Sequence, residues 1–357
     1  MRVHVLTPGF TTSNGSAFLF PLIVHKNALR NASIDVRIIS RSTPGLTNCD
    51  ILAIDSKEFR DESRDPPSRT QELISSYRDA GAKIAWFDTT DSTGTLQAPM
   101  LPVVDKYLKA QLLADTTRYT ARIYGGRVQS EYYHETAGVT DDDGFAIDEP
   151  VAPEDIAKLG ISWNSGLADY STYGPMRIGL YRRLHLTMLL RYPAVTEDAD
   201  SRRPNDLSAR FGASYSKATV RYQRERIRER LASRLDTQKL NRRGYMRELG
   251  QSKVVLSPFG WGEITLKDFE VFLTGGMLLK PSMDHMQTWP NFYEKDVTYL
   301  SHDWDLADLE ERIDWAISNE PDRLAIAREG QQRYAEHTSG KAAAEKFVAH
   351  LSDILST

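Results

Sequence analysis

One stretch near residue 260 constrains the fold more than any other part of the chain, because it combines a strand, a glycine turn, a helix and a second strand. The apolar residues 254–256 predict a short buried strand, and Gly260 and Gly262 allow the backbone to turn sharply after it. The glycine pair at 275–276 marks the C-terminus of the following helix. A helix N-terminus leaving such a turn carries unpaired N–H groups and positive partial charge, so the pattern favours binding of a phosphate or diphosphate.

The polar side chains of this predicted helix share one face. Glu263, Lys267 and Glu270 are separated by four and then three residues, which places them on the same side of a helix that starts near Glu263. This face either contacts a ligand or carries an ordinary ion pair between Lys267 and Glu270. Trp261 either stacks on a base or covers the core.

The motif Ser-Pro-x-Gly-x-Gly, followed by Lys-x-x-Glu, Gly-Gly and an apolar strand, resembles the donor-nucleotide half of GT-B glycosyltransferases, in particular the exostosin-like and spore-protein-like group. The resemblance is strong over about residues 240–315 and only topological elsewhere. It implies that Glu270 holds the ribose hydroxyls and that Lys267 lies near the diphosphate. The remaining donor-site residues that it implies in the turn are Gly260, Trp261, Gly262 and Glu263.

The spacing of the two glutamates bears on the stereochemistry. A large retaining group of GT-B enzymes has seven residues between its two glutamates, whereas six residues separate Glu263 from Glu270. The departure argues against a retaining assignment, so we expect an inverting displacement.

Composition excludes several classes of protein. The 357 residues are 40% hydrophobic and 26% charged, which is typical of a globular protein of two domains. A formal net charge of −4 argues against general nucleic-acid binding. The single cysteine, Cys49, supports neither a disulfide framework nor a cysteine-based zinc site. With no apolar signal segment or membrane span in the sequence, we expect a cytoplasmic protein, and contact with the inner face of a membrane stays open.

The order of predicted elements indicates an α/β protein. Strands and helices alternate in both halves, which predicts two Rossmann-like, doubly wound domains that face each other across a cleft, the GT-B arrangement that the resemblance implies. The predicted segments are an acceptor-side domain at 1–175, a connection at 176–205, a nucleotide-sugar-binding domain at 206–338 and a C-terminal helix at 339–357 that packs back on the first domain.

The loop after Phe87 carries candidates for a general base. Ligands of open parallel sheets bind beyond the carboxyl ends of the strands, so this loop is expected at the cleft. Asp91, and after it Asp88, can accept the proton of an acceptor hydroxyl as it attacks the anomeric carbon. Both aspartates equally suit a helix cap or a turn. Asp169 is a further candidate base.

The other charged residues leave alternatives open. Arg210 and Lys217 follow the first predicted strand of the second domain, where the resemblance implies residues that bind the diphosphate. The aspartates at 141–143 suit either a hard cation or a solvated turn, and we expect the turn and no metal. The arginine-rich residues 221–243 form either a helix face of paired charges or a surface for an anionic membrane or a lipid-linked acceptor.

The sequence therefore predicts a metal-independent, inverting glycosyltransferase without a cofactor, which transfers a sugar from a nucleotide diphosphate to a carbohydrate or lipid-linked acceptor. A UDP-sugar is the default donor because the resembling families often use it. Two alternatives remain, a nucleotide-sugar epimerase of the same fold and a binding module for nucleotide or glycan that has lost its catalytic base.

Overall fold

The structure, a computed structural model, describes residues 1–40, 47–59, 68–142, 144, 149–234, 238 and 240–356. Its strands are β1 (Arg2–Leu6), β2 (Asp35–Ile39), β3 (Ile51–Asp55), β4 (Lys83–Asp88), β5 (Lys106–Lys109), β6 (Gln111–Leu113), β7 (Leu159–Ile161), β8 (Asn205–Ser208), β9 (Ser252–Leu256), β10 (Met277–Pro281), β11 (Met286–Thr288) and β12 (Leu300–His302).

The α-helices of the described residues are distributed over the whole chain. They are α1 (Ser13–Val24), α2 (Lys26–Asn31), α3 (Ser68–Asp79), α4 (Val128–Ala137), α5 (Gly174–Leu184), α6 (Ala218–Arg230), α7 (Arg242–Gln251), α8 (Leu266–Thr274), α9 (Leu309–Ser318), α10 (Glu320–Thr338) and α11 (Gly340–Ser356). In the part of the chain that the structure describes, no helix has the length and apolar character needed to cross a membrane.

The first domain is built on a parallel sheet. Among the described residues it has six strands in the order β2-β1-β3-β4-β5-β7. All five residues of β3 are buried, and the first four, 51–54, are apolar on both faces of the strand, as expected of a parallel sheet covered by helices on either side. The order reverses between β1 and β3, and loops at such a reversal form the usual ligand crevice of an open sheet.

The second domain has a smaller parallel sheet with helices on both faces. Its four described strands lie in the order β12-β10-β9-β8. Along β9, Val255 packs with residues of α8 such as Phe269, whereas Val254 and Leu256 pack with Ile313 of α9 on the opposite face. The two parallel sheets, each with its own helices, confirm the predicted pair of Rossmann-like domains.

The two domains are joined by main-chain pairing as well as by side chains. β11 of the second domain pairs antiparallel with β6 of the first, with Met286 opposite Leu113 and Thr288 opposite Gln111. One apolar cluster contains residues of both domains, and α11 packs against α2. The interface is therefore a continuous part of the core.

Three predicted boundaries differ from the structure. The apolar runs at 207–211 and 297–300 each predict a strand from the sequence; the structure instead has β8 at Asn205–Ser208 and β12 at Leu300–His302. The helix expected to begin near Glu263 begins at Leu266, because Thr265 and Asp268 form a capping box that fixes its start.

Candidate active site between the two domains

A cavity of about 560 Å³ lies between the two domains. Its first-domain wall comes from residues at or after the carboxyl ends of β1, β3, β4, β5 and β7, as expected of an open parallel sheet. The polar residues of that wall are Thr12, Ser13, Asn14, Lys57, Asp88, Thr89, Thr90, Asp91, Gln111, Ser162 and Ser165. Its second-domain wall consists of Tyr215, Arg224, Gly260, Trp261, Gly262, Ile264, Thr265 and Leu266.

The turn that forms the second wall is held by a buried hydrogen-bond network around Asp268. The Asp268 carboxylate accepts hydrogen bonds from Ser257 Oγ at 2.6 Å and Tyr293 Oη at 2.9 Å, and its Oδ2 lies 3.2 Å from Lys280 Nζ. Asp268 and Lys280 are both fully buried. Because every partner is satisfied, this network fixes the turn that ends at the start of α8.

Gly262 allows the two walls to touch. A Cβ atom at this position would lie 2.0 Å from the carbonyl oxygen of Asp91, which no real Cβ approaches. The glycine of the predicted phosphate turn is thus required for a close approach between the domains as well as for the turn itself.

Trp261 forms part of the cavity wall and is 37% exposed. The guanidinium of Arg127 lies 5.1 Å from the centre of the indole, and Tyr215 meets the ring edge-on at 5.4 Å. Its face is therefore supported by side chains of both domains and borders the cavity.

Of the three candidate bases, Asp91 both lines the cavity and has an accessible carboxylate. Its Oδ1 accepts a hydrogen bond from Asn14 Nδ2 at 2.5 Å, and Asn14 also donates to the carbonyl of Thr89 at 3.0 Å. Asn14 lies in the first turn of α1, whose start is fixed by the Thr12 side chain, which accepts from the Gly15 N–H at 3.0 Å. One carboxylate oxygen is thereby oriented, and the residue stays exposed.

Asp88 also lies at the cavity, but its carboxylate is occupied. Its Oδ2 is 2.8 Å from Lys109 Nζ and accepts from Tyr107 Oη at 2.7 Å, and all three side chains are buried. Burial pushes the pKa of Asp88 upward, but the Lys109 ammonium and the hydrogen bonds outweigh burial, so the pKa lies below its ordinary value. This geometry suits a fixed structural carboxylate better than a base.

Asp169 is not among the residues that line the cavity. Its buried carboxylate forms an ion pair with Arg177 and accepts from the Ser171 N–H at 3.0 Å. The structure therefore does not bring Asp169 together with Asp88 and Asp91.

Glu263 departs most clearly from the sequence interpretation. It lies before the helix, so it does not share a helix face with Lys267 and Glu270. Its carboxylate is fully buried and accepts hydrogen bonds from Thr93, from Oγ1 at 2.6 Å and from N–H at 3.1 Å. Burial raises the pKa of Glu263, but His285 and the Thr93 hydrogen bonds together bring it below its ordinary value. Glu263 ties the second-domain turn to a first-domain loop.

Lys267 and Glu270 do not pair with each other in the structure, so the surface ion pair left open above is not formed. Lys267 Nζ donates to the carbonyl of Arg210 at 2.5 Å, while Glu270 forms an ion pair with Arg242 and accepts from Tyr245 Oη at 2.8 Å. Neither residue lines the cavity. The ribose role of Glu270 stays a prediction, and its occupied carboxylate does not favour that role.

The two further donor-site candidates also lie outside the cavity lining. Arg210 forms a two-point ion pair with Glu248, with Nη2 to Oε2 at 2.8 Å and Nε to Oε1 at 3.0 Å. Lys217 is the residue directly before α6. A guanidinium already held by a carboxylate is a weaker phosphate ligand than a free one.

Arg224 is the functional candidate that sequence analysis missed. It belongs to the arginine-rich run interpreted as paired surface charge, and Arg221, Arg226 and Arg230 do pair with acidic residues. Arg224 instead is 7% exposed and lines the cavity. The available signal was its position between Val220 and Ile227, which places it on the buried face of α6.

The surroundings of Arg224 keep its charge available. Its guanidinium donates to the carbonyls of Phe259, of Gly212 at 2.8 Å and of Pro258 at 3.4 Å, acceptors that orient the group without neutralising its charge. Among the described residues no carboxylate lies within 4 Å of Arg224 or Lys267, and the two cationic groups lie 5.6 and 5.5 Å from the same Phe211 ring. Burial lowers the pKa of Arg224 from its ordinary high value.

The N-terminus of α8 completes the cationic wall. Thr265 and Leu266, its cap and first residue, line the cavity. The capping box uses the Asp268 N–H, whereas the N–H groups of Leu266 and Lys267 have no partner within the helix, so this end is suited to an anion. With Arg224 beside it, the second-domain wall can neutralise negative charge, and the first-domain wall offers the Asp91 carboxylate.

The acidic loop does not form a metal centre in the described part of the chain, where no group of three His, Cys, Asp or Glu side chains is arranged to hold an ion. Asp141 accepts hydrogen bonds from Thr219, including its N–H at 3.2 Å in the first turn of α6. Asp142 is exposed, as a solvated turn would predict, and Asp143 lies outside the described residues. Asp141 is thus half-buried against the first turn of α6, while Asp142 is exposed to solvent.

No family model and no curated protein matches the sequence. Solved structures of similar arrangement include an alpha-glucosyltransferase in complex with UDP, with 11% identity, a TM-score of 0.47 and 100% of both chains covered. A glycosyltransferase from Rickettsia africae ESF-5 has 8% identity and a TM-score of 0.47, covering 100% of this chain and 99% of that chain. WaaG, a glycosyltransferase involved in lipopolysaccharide biosynthesis, has 13% identity and a TM-score of 0.42, covering 99% and 100%. TM-scores below 0.5 carry no argument about function, and the exostosin-like subgroup stays a prediction.

Proposed function

We propose that this protein is a glycosyltransferase that moves a sugar from a nucleotide diphosphate to a carbohydrate or lipid-linked acceptor. The observation that carries the proposal is the pair of facing walls in one cavity, an accessible aspartate on one side and a helix N-terminus with a buried arginine on the other. Acceptor activation and leaving-group stabilisation need these two kinds of group on opposite sides of the reacting carbon.

Asp91 acts as the general base in the proposed reaction. The acceptor hydroxyl binds between Asp91 and the donor, and its proton passes to the Asp91 carboxylate as the oxygen attacks the anomeric carbon. Asn14, at 2.5 Å from Oδ1, holds the carboxylate in position. Attack from the side opposite the diphosphate inverts the configuration at the anomeric carbon.

The second-domain wall stabilises the leaving diphosphate. Negative charge accumulates on the diphosphate as the glycosidic bond breaks, and preformed donors at that place lower the barrier. Arg224 and the N–H groups of Leu266 and Lys267 at the start of α8 supply them, and the Lys267 side chain, when protonated, adds positive charge behind the same wall. Trp261 and Tyr215 offer ring faces to the nucleoside.

We predict that Arg224→Met weakens binding of a nucleoside diphosphate about tenfold to a hundredfold, because a charge-assisted hydrogen bond contributes roughly 1.5–3 kcal/mol. Calorimetric titration with UDP, the first nucleotide to test, measures the affinity of each variant. Arg228→Met is the matched control, since it lies one turn further along α6 and is exposed. Arg224→Lys, which keeps the charge, should retain part of the affinity; equal affinity in all three variants contradicts the assignment.

We predict that folding stability depends on the titration of Lys267. Burial lowers the pKa of Lys267 to about 7, with Arg224 acting in the same direction. Between about pH 7 and its unfolded pKa of about 10.4, the unfolded chain binds more protons here than the folded chain, so stability at this residue increases with pH. Below pH 7 both states carry the proton and the slope disappears. Thermal unfolding at pH 7 and 9 should show a larger gain for the wild type than for Lys267→Met; equal gains contradict the prediction.

We predict that transfer does not require a divalent cation, because the protein supplies the positive charge that the diphosphate needs. Turnover measured with and without excess chelator should agree within about twofold, a margin small against the effect of losing one charged ligand. Loss of activity that added magnesium or manganese restores would contradict this mechanism and return attention to the aspartates at 141–143.

The same assay separates the proposal from its alternatives. Nucleotide sugars are incubated with the protein, with and without a carbohydrate acceptor, and released nucleoside diphosphate is measured. A transferase releases diphosphate in an acceptor-dependent way. An epimerase alters the donor sugar without an acceptor, and a binding module binds the donor without turnover.

A further inference from the structure

Helix α5 and the residues after it form an exposed apolar surface on the molecule. The large apolar side chains concerned are between 41% and 70% exposed, with Met188 the most exposed. They are Tyr173, Met176, Leu180, Leu184, Leu186 and Met188, which together we call the α5 surface. Soluble proteins seldom leave such a contiguous set in water unless it contacts something else.

The charge of this segment is one-sided. Residues 170–196 contain no aspartate or glutamate, in a chain that has 49 of them in 357 residues. The same segment carries Arg177, Arg182, Arg183, His185 and Arg191. Arg177 pairs with Asp169, whereas Arg182 and Arg183 are exposed beside Leu184. An apolar helix face with cationic side chains and no anionic ones is complementary to an anionic lipid surface.

Two basic pockets flank the α5 surface. One of about 430 Å³ reaches Tyr181 and Thr187 and is lined by Lys26, Arg30 and Arg37, with a single acid, Asp35. Another of about 480 Å³ reaches Tyr173 and is lined by Arg202, Arg243 and Arg247, with a single acid, Glu197. Among the described residues, none of these six cations has a carboxylate within 4 Å. Within that part of the chain no acidic side chain neutralises them, so they can meet phosphate headgroups.

The α5 surface adjoins the first-domain side of the cavity. Tyr181 of α5 meets the ring of Phe10 edge-on at 5.1 Å. Phe10 lies in the loop between β1 and α1, two residues before Thr12, which lines the cavity. A surface bound by α5 would therefore lie next to the wall that carries Asn14 and Asp91.

We propose that the α5 surface docks onto an anionic lipid bilayer, with its apolar side chains in the headgroup and acyl boundary and its arginines on lipid phosphates. A second copy of the chain is a poorer occupant, because a two-fold interface would place these cations against the same cations of the other copy. Docking of the α5 surface to a bilayer does not depend on the proposed glycosyl transfer. If the protein both docks and transfers a sugar, its acceptor is a molecule that the bilayer presents.

The test is co-sedimentation of the full chain with vesicles of phosphatidylcholine, alone or with phosphatidylglycerol. We expect binding to the mixed vesicles that weakens with salt. Arg182→Glu/Arg183→Glu should reduce partitioning at least about twentyfold, since each cation near the surface contributes roughly fivefold. Met176→Asp/Met188→Asp should reduce it by a similar factor, because two apolar side chains that enter the headgroup and acyl boundary become charged. The matched controls are Val297→Asp and Arg228→Glu, exposed positions of the second domain that should bind as the wild type does.

The nucleotide affinity of the same variants should equal that of the wild type, which would show that the variants fold. Loss of vesicle binding can then be distinguished from failure of the proposed function. No binding to mixed vesicles overturns the proposal, as does equal loss in the controls. A concentration-dependent dimer that the α5 variants abolish, without vesicle binding, assigns the surface to a second copy instead.

Discussion

Replacing Asp91 by Asn is expected to lower the rate of sugar transfer about a hundredfold to ten-thousandfold, the range that a positioned general base contributes. The substitution keeps the size of the side chain and a partner for Asn14, but removes the basic oxygen. Because the proposed function assigns the donor to the opposite wall, the affinity for nucleoside diphosphate should change by less than about twofold, well under the effect of losing one charged contact. Steady-state rates and calorimetric titration on the same variant measure the two quantities separately.

Asp142→Asn is the control for Asp91→Asn, because Asp142 is exposed and outside the cavity. Asp88→Asn is a second comparison. It leaves the buried Lys109 without its carboxylate, so we expect a loss of folding stability of about 3–5 kcal/mol. Near-normal turnover by Asp91→Asn would place the base elsewhere or indicate a mechanism that needs none.

Replacing Gly262 by Ala is expected to destabilise the fold by about 3 kcal/mol, at the upper end of what overpacking a close contact costs. The added methyl would meet the main-chain oxygen of Asp91 at 2.0 Å, and main chain on both sides cannot rotate away. The domains must then separate locally, so nucleotide affinity and turnover should fall together. Urea unfolding and the transfer assay measure the two effects.

Gly179→Ala is the matched control for Gly262→Ala. Gly179 lies inside α5, and a Cβ there would meet nothing within 4 Å. Because alanine is the better helix former, stability should stay equal or rise by up to about 1 kcal/mol. If Gly262→Ala is as stable as this control, the contact between the two walls is not part of the folded protein in solution.

The sequence was most informative where local rules decide the structure. The turn through Gly260 and Gly262, the helix stop at Gly275 and the alternation of strands and helices all depend on neighbouring residues, and the structure contains each of them. The helix start was misplaced, although Thr265 followed three residues later by Asp268 is a recognisable capping pair.

The site itself was only partly predictable, because it depends on contacts between residues far apart in the chain. Asp88 and Asp91 lie three residues apart, yet Lys109 occupies one and leaves the other accessible. No local pattern distinguishes them. The sequence predicts that Glu263 binds the donor, whereas its carboxylate accepts a hydrogen bond from Thr93, 170 residues away. Arg224 was not predicted, because the number and spacing of charges along α6 do not distinguish a buried arginine from an exposed one.

The pairing of β11 with β6 limits how substrates can enter and leave. Swinging the domains apart would break that antiparallel ladder, uncover the shared apolar cluster and pull the Glu263 carboxylate from Thr93. A wide hinge motion would have to break all three sets of contacts at once, so we expect it to be unfavourable. In the proposed reaction we therefore expect donor and product to exchange past rim side chains such as Trp261, which is 37% exposed, rather than through wide separation of the domains.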